Sequence, residues 1–130
     1  MMTDEQDKIL CEKFPKMFAD RDGKLENTCM FWGFQCDSGW FDLIYTLCET
    51  IQSYIDHNQH LNINQVVVEQ VKEKFGTLRF YVRGGNDMTD GMIWFAELIV
   101  RECAEVMDKD MDHPYVKRSS ILKHHFGVKE

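Results

Sequence analysis

The chain has 130 residues, 44% of them apolar and 28% charged, with 22 acidic against 15 basic side chains and a net charge of −7. That length suits one domain, residues 1–130, around one hydrophobic core, and these proportions exclude a disordered chain and a fibrous repeat. The longest apolar runs, Met92 to Ala96 and Leu98 to Val100, are interrupted by Glu97 and stopped by Arg101 and Glu102, which excludes a bilayer-spanning helix.

The amino terminus, Met1-Met2-Thr3-Asp4-Glu5-Gln6-Asp7, is acidic and polar. A secretory leader needs a basic start and an apolar run, so a cytoplasmic protein is expected. Ile9, Leu10, Phe14 and Met17 follow with helical spacing, and the acids before them suit a helix amino terminus. This first helix is short and ends near Pro15 to Ala19, or already before Pro15, which sits inside the pattern. Asp20-Arg21-Asp22-Gly23 then reads as a turn, and Thr28 to Cys36, rich in aromatic residues, as a short strand or a buried loop.

Trp40, Ile44, Leu47, Cys48, Ile51 and Ile55 recur at intervals of three and four, predicting a second helix from about Gly39 to His57, capped by Asp37 or Ser38. Val66-Val67-Val68 opens a β-rich stretch running to Phe75, and Leu78 to Val82 alternates apolar with polar. Gly76 between them predicts a tight hairpin, because glycine readily takes a positive φ. Gly84-Gly85 breaks the second strand, and Asp87 or Thr89 caps a third helix to about Met107. Its apolar face is Met92, Phe95, Ala96, Ile99, Cys103 and Met107, widened by Ile93, Leu98, Val100 and Val106. Val116 to Phe126 adds a short terminal helix. The expected fold is α+β: a small antiparallel hairpin or sheet covered by two main helices, with short terminal helices.

Chemical motifs are sparse. Cys11, Cys29, Cys36, Cys48 and Cys103 are odd in number and form no Cys-x-x-Cys pair, which fits reduced thiols in a cytoplasm. Metal ligands are conceivable among Cys29 and Cys36, His57 and His60, and His113, His124 and His125, but their spacing matches no closed site and ordinary surface histidines are the plainer reading. Cys36 precedes a helix start, where a dipole lowers a thiol pKa, whereas Cys48 and Cys103 lie on apolar helix faces and read as core. Asp108, Asp110 and Asp112 alternate as in a calcium loop yet lack its glycine and closing Glu. Gly84-Gly85 is the one phosphate-cradle candidate, and Asp87 beside it repels phosphate. No metal and no cofactor is called for.

Charge is unevenly distributed. Residues 59–86 carry Lys72, Lys74, Arg79 and Arg83 against Glu69 and Glu73, while the third helix carries Glu97, Glu102 and Glu105. Strand alternation sets Arg79, Tyr81 and Arg83 on one exposed face, able to hold an anion, a base or an acidic protein patch. A solvated face paired to Glu69 and Glu73 is the duller alternative. The net negative charge repels nucleic acid overall.

Two stretches, Phe34-Gln35-Cys36-Asp37-Ser38-Gly39-Trp40 leading into Leu47-Cys48, and Val71 to Tyr81 (Val-Lys-Glu-Lys-Phe-Gly-Thr-Leu-Arg-Phe-Tyr), resemble a group of small uncharacterised phage and prophage proteins. In that group a Cys-x-x-Gly-Trp helix start precedes a Lys-Glu-Lys-Phe-Gly-x-Leu-Arg-Phe-Tyr hairpin, and a Cys-x-x-Cys segment often follows. The matching region here keeps Cys103 alone. The resemblance implies a phage accessory protein acting by binding in the bacterial cytoplasm. One reading is occlusion of a host defence protein through the acidic helix residues Glu97, Glu102 and Glu105. The alternative is capture of an anionic nucleotide by Arg79, Tyr81, Arg83 and the Gly84-Gly85 turn, across an oligomer interface, with Lys72 and Lys74 of the same hairpin as further candidate contacts for a ligand or partner. A thiol or metal enzyme built on Cys36 and the histidines ranks third.

Overall fold

The computed structural model of the chain describes residues 2–21, 30, 33–36 and 38–109, with side chains through residue 100. Thr3 caps helix α1 (Asp4–Lys13): its hydroxyl accepts the Gln6 backbone N–H at 3.1 Å, and the Gln6 side chain accepts the Thr3 N–H at 3.1 Å. This reciprocal box satisfies two of the amide donors that every helix start leaves open. The helix stops before Pro15, because a proline ring clashes with the preceding turn. Leu10, Phe14 and Met17 enter the core as expected, but Ile9 lies on the outer side and is exposed.

Strand β1 is Phe34–Gln35, so the aromatic-rich stretch supplies a short strand. A 3₁₀ turn, Ser38–Trp40, leads into α2 (Phe41–His57). The expected cap is corrected here: Trp40 occupies the cap position without a side-chain hydrogen bond, and Asp37 lies outside the described residues. Every apolar position assigned to this helix is buried, from Trp40 through Ile55. Each fully buried aliphatic side chain of this kind contributes roughly 1.5–3 kcal/mol.

The hairpin pairs β2 (Asn64–Lys74) antiparallel with β3 (Thr77–Gly85). The sheet is mixed rather than wholly antiparallel, since β1 runs parallel to β2 with Phe34 opposite Val71. Two register shifts bulge β2, between Asn64 and Val67 and between Val68 and Gln70. A bulge adds one residue to one strand, so Val68 faces Val82 and Val71 faces Phe80, and Val66, Val68, Val71, Leu78 and Phe80 are all buried. Without the second shift, strict alternation from Val68 would turn Val71 to solvent.

Helix α3 (Asp87–Lys109) begins two residues after Gly85, the last residue of β3, and its cap is Asn86 rather than Asp87 or Thr89. The Asn86 side chain accepts the Thr89 N–H at 3.1 Å, and the Thr89 hydroxyl accepts the Asn86 N–H at 2.8 Å. Ile93, Ala96, Ile99 and Val100 are buried, with Met92 packed against them. Phe95 departs from the expected face and is 44% exposed, and Trp94, outside that face, is 65% exposed. Helices α2 and α3 pack on each other and on the hairpin, giving the α+β layer. The amino-terminal segment closes the other side, with Phe14 edge-on to Tyr45 at 5.2 Å and Phe18 edge-on to Phe34 at 5.2 Å. Among the described residues no helix is long and apolar enough to cross a membrane. The terminal helix expected over Val116 to Phe126 lies outside the described residues.

Candidate binding surface

The two-residue loop of the hairpin is Phe75-Gly76, with φ of 54° and 76°. Positive φ at both positions is the requirement of the type I′ turn, whose twist matches that of the strands it joins. The strand therefore ends at Lys74, and Phe75 is a turn residue rather than the end of the strand. The Glu73 carboxylate accepts the Gly76 N–H at 2.6 Å, and the Thr77 hydroxyl donates to the Lys74 carbonyl at 2.6 Å. These bonds hold the tip with the Phe75 ring 90% exposed and the Lys74 Nζ 5.9 Å from its centroid.

On the sheet face away from the core, Lys72 lies directly opposite Arg79 and Gln70 opposite Tyr81. The Lys72 Nζ sits 5.8 Å from the centre of the exposed Tyr81 ring. Gln70 donates to Gln35 of β1 at 3.1 Å, extending the face to the third strand. The structure thus brings Lys72, Arg79 and Tyr81 together, with Lys74 at the tip. Like charges directly opposite each other across an antiparallel pair are unfavourable in an isolated sheet. The duller pairing is absent in its expected form: Glu73 serves the turn, and Glu69 sits in the bulged stretch, where its charge acts on Arg83.

Arg83 does not belong to this open set. Its guanidinium holds Asp20 through two bonds, Nη1 to Oδ2 at 2.5 Å and Nη2 to Oδ1 at 3.2 Å, and the Asp20 side chain is almost wholly buried. Hydrogen bonding to Asp20 raises Arg83 above its usual value, burial opposes this, and the charges of Asp20 and Glu69 add to the rise. Gly84 and Gly85 are likewise committed. Their φ values are 81° and 79°, and an added Cβ would strike the Gln65 carbonyl oxygen at Gly84 and the Thr89 hydroxyl at Gly85. They lie inside β3, with Gly85 paired to Asn64, and serve close packing rather than an open cradle.

Glu97 also differs from the expected exposed acid. It is half-buried beside the open edge of β3, and burial raises its pKa, opposed by the Arg79 charge and a hydrogen bond with the Phe80 backbone. Together with Thr77, Leu78, Arg79, Trp94 and Leu98 it lines a shallow cleft of about 160 Å³. Glu102 and Glu105 belong to α3, but their side chains lie outside the described residues.

The thiol and metal candidates scatter. Cys48 is fully enclosed in α2, where burial first and the nearby Cys11 second push its thiol well above the ordinary range. Cys36 is buried and precedes the 3₁₀ turn, so it does not stand at the amino end of α2. His57 ends α2 exposed, with Nδ1 2.7 Å from the Ser53 carbonyl, and His60 lies in a separate turn. Among the described residues no three His, Cys, Asp or Glu side chains are placed to share a metal ion. Cys29, His113, His124, His125, Asp110 and Asp112 lie outside those residues, as does the side chain of Cys103, and Asp108 stands on helix α3 rather than in a loop.

Comparison with protein-family models, curated proteins and solved structures finds no match. Sequence reasoning missed two features of this surface. Asp20 read as a turn residue, although a buried acid needs a cation and Arg83 answers it. Phe75 read as strand, although a two-residue loop ending in glycine normally carries Asn or Asp at that place.

Proposed function

We propose that the protein is a binding protein whose basic hairpin face engages an acidic surface of a bacterial host protein, as a phage-encoded inhibitor of host defence. The observation that carries this reading is the direct opposition of Lys72 and Arg79 beside the exposed Tyr81. Two facing cations cost the isolated sheet stability, and a partner's carboxylates offset that cost on association. The phage context comes from the resemblance of residues 34–48 and 71–81 to small phage proteins.

A protein partner fits this surface better than a nucleotide. Small-molecule sites are concave, on the order of 300–1,000 Å³, whereas the cleft beside Arg79 measures about 160 Å³. Arg83 and the Gly84-Gly85 pair, which a nucleotide site was expected to use, are engaged within the fold. Of the acids in the occlusion reading, Glu97 is half-buried beside the strand edge, and the side chains of Glu102 and Glu105 lie outside the described residues.

The test is capture of host proteins from a bacterial lysate by the tagged full chain and by Lys72→Glu/Arg79→Glu. A stoichiometric partner held by the wild type and lost by the double variant is expected, with the double variant melting lower, because Arg79→Glu sets a second carboxylate beside Glu97, yet folded at the temperature of capture. Equal retention by the double variant would refute the basic face as the binding surface.

A further inference from the structure

The tip of the hairpin carries two unfavourable features at once. Phe75 is a bulky residue held at φ 54°, a region that non-glycine side chains seldom occupy, and its ring is 90% exposed. Neither feature serves the fold: the ring reaches no core residue, and a two-residue loop before glycine is best filled by Asn or Asp. The strained residue is held by Glu73 on Gly76 and Thr77 on Lys74, so the ring is presented on a rigid turn rather than a loose loop. A second exposed aromatic, Trp94 of α3, lines the cleft with Thr77 and Arg79 just behind the tip. Lys74 accompanies Phe75, and the Trp94 cleft holds Arg79 together with the half-buried Glu97.

From this arrangement we infer that Phe75 is an anchor that inserts into an apolar pocket rimmed by carboxylates on the partner protein, with Trp94 and Arg79 forming a second contact. Aromatic residues and arginine dominate the energetics of protein interfaces, and a pre-ordered anchor loses little freedom on binding. Lys72, Lys74 and Arg79 complement a local acidic rim, while the net charge of −7 opposes a surface as extended and uniformly anionic as a membrane or a nucleic acid. The inference rests on the hairpin-binding reading and adds the chemistry of the partner's pocket.

The experiment has two arms on the full-length protein. In the first, the isolated Phe75→Asn variant is melted beside the wild type. An unchanged or higher Tm is expected, because Asn tolerates this φ and leads in such turns; a lower Tm would mean that Phe75 serves the fold and would overturn the proposal. In the second, the partner captured by the wild type is repurified and titrated against Phe75→Asn, Trp94→Ala, and Leu61→Asn as an exposed apolar control. Weakening of about 30-fold or more by Phe75→Asn, a smaller loss by Trp94→Ala and none by Leu61→Asn are expected. Full binding by Phe75→Asn to a partner that Lys72→Glu/Arg79→Glu loses would overturn the anchor and leave the basic face standing. The absence of any protein partner, self-association alone, or Phe75-dependent binding to phosphatidylglycerol vesicles would each overturn it as well.

Discussion

At the scale of single residues, the amino end of α3 depends on two glycines. Gly84 and Gly85 lie in the positive-φ region, and each packs where a Cβ would meet backbone or hydroxyl oxygen. Thr89 is wholly buried because its hydroxyl bonds the Asn86 amide in the space that Gly85 leaves open. Gly85→Ala is therefore expected to lower stability by about 1–3 kcal/mol through combined φ strain and collision, read as an earlier midpoint in urea unfolding. Gly76→Ala tests strain alone, since a Cβ there meets nothing within 4 Å. The sequence predicted a strand break at Gly84-Gly85, whereas β3 runs through both glycines, and their packing was not legible: which side chain fills the space beside a glycine depends on a helix that folds back from beyond it.

At the scale of elements, β3 forms one edge of the sheet, and open strand edges invite pairing with other chains. Glu97 of α3 blunts this edge through its interaction with the Phe80 backbone, while burial raises its pKa and Arg79 partly offsets the rise. A carboxyl whose folded pKa lies above its unfolded value contributes stability that is complete below the unfolded value, about 4.3 for Glu, and that fades as pH rises through the folded value. Glu97→Gln keeps an acceptor oxygen and removes the charge. Its Tm is expected to gain on that of the wild type as pH rises from 4 towards 7; a difference constant across that range would show that Glu97 titrates alike in both states. The helical spacing of the third helix was legible in the sequence, but the breadth of its buried face was not. Spacing placed both Phe95 and Ile93 on a broad apolar face, and only packing in the fold decides that Ile93 is buried while Phe95 stays exposed.

At the scale of the whole molecule, the amino-terminal segment joins the helices to the sheet. The Val68 N–H of β2 donates to the Met17 carbonyl at 2.7 Å, the Met2 N–H donates to the Cys36 carbonyl at 2.7 Å, and Asp20 reaches Arg83 of β3. Leu10 is entirely buried although α1 is short and largely polar. A helix of that length is marginal in water by itself, so tertiary packing must hold it. Leu10→Ala is expected to cost about 2–5 kcal/mol, the range for a fully enclosed leucine, and to lower the Tm of the whole protein in one cooperative transition rather than fraying the first helix alone.

The sequence by itself determined the α+β class, the second helix with all its buried positions but Leu43, an end of α1 at or near Pro15 and the hairpin around Gly76. These follow from local rules: apolar periodicity, the clash of a proline ring, and the freedom of glycine at positive φ. Only the tertiary structure decided the parallel strand β1, the bulges of β2, the Asp20–Arg83 pair and the inward turn of Glu97. Each depends on partners far apart in the chain, as Asp20 is from Arg83, and a residue's spacing carries no trace of a partner that chain folding alone brings near. The same division runs through the binding surface, where alternation along β3 grouped Arg79, Tyr81 and Arg83, and the fold withdrew Arg83, placed Lys72 opposite Arg79 and raised Phe75 at the tip.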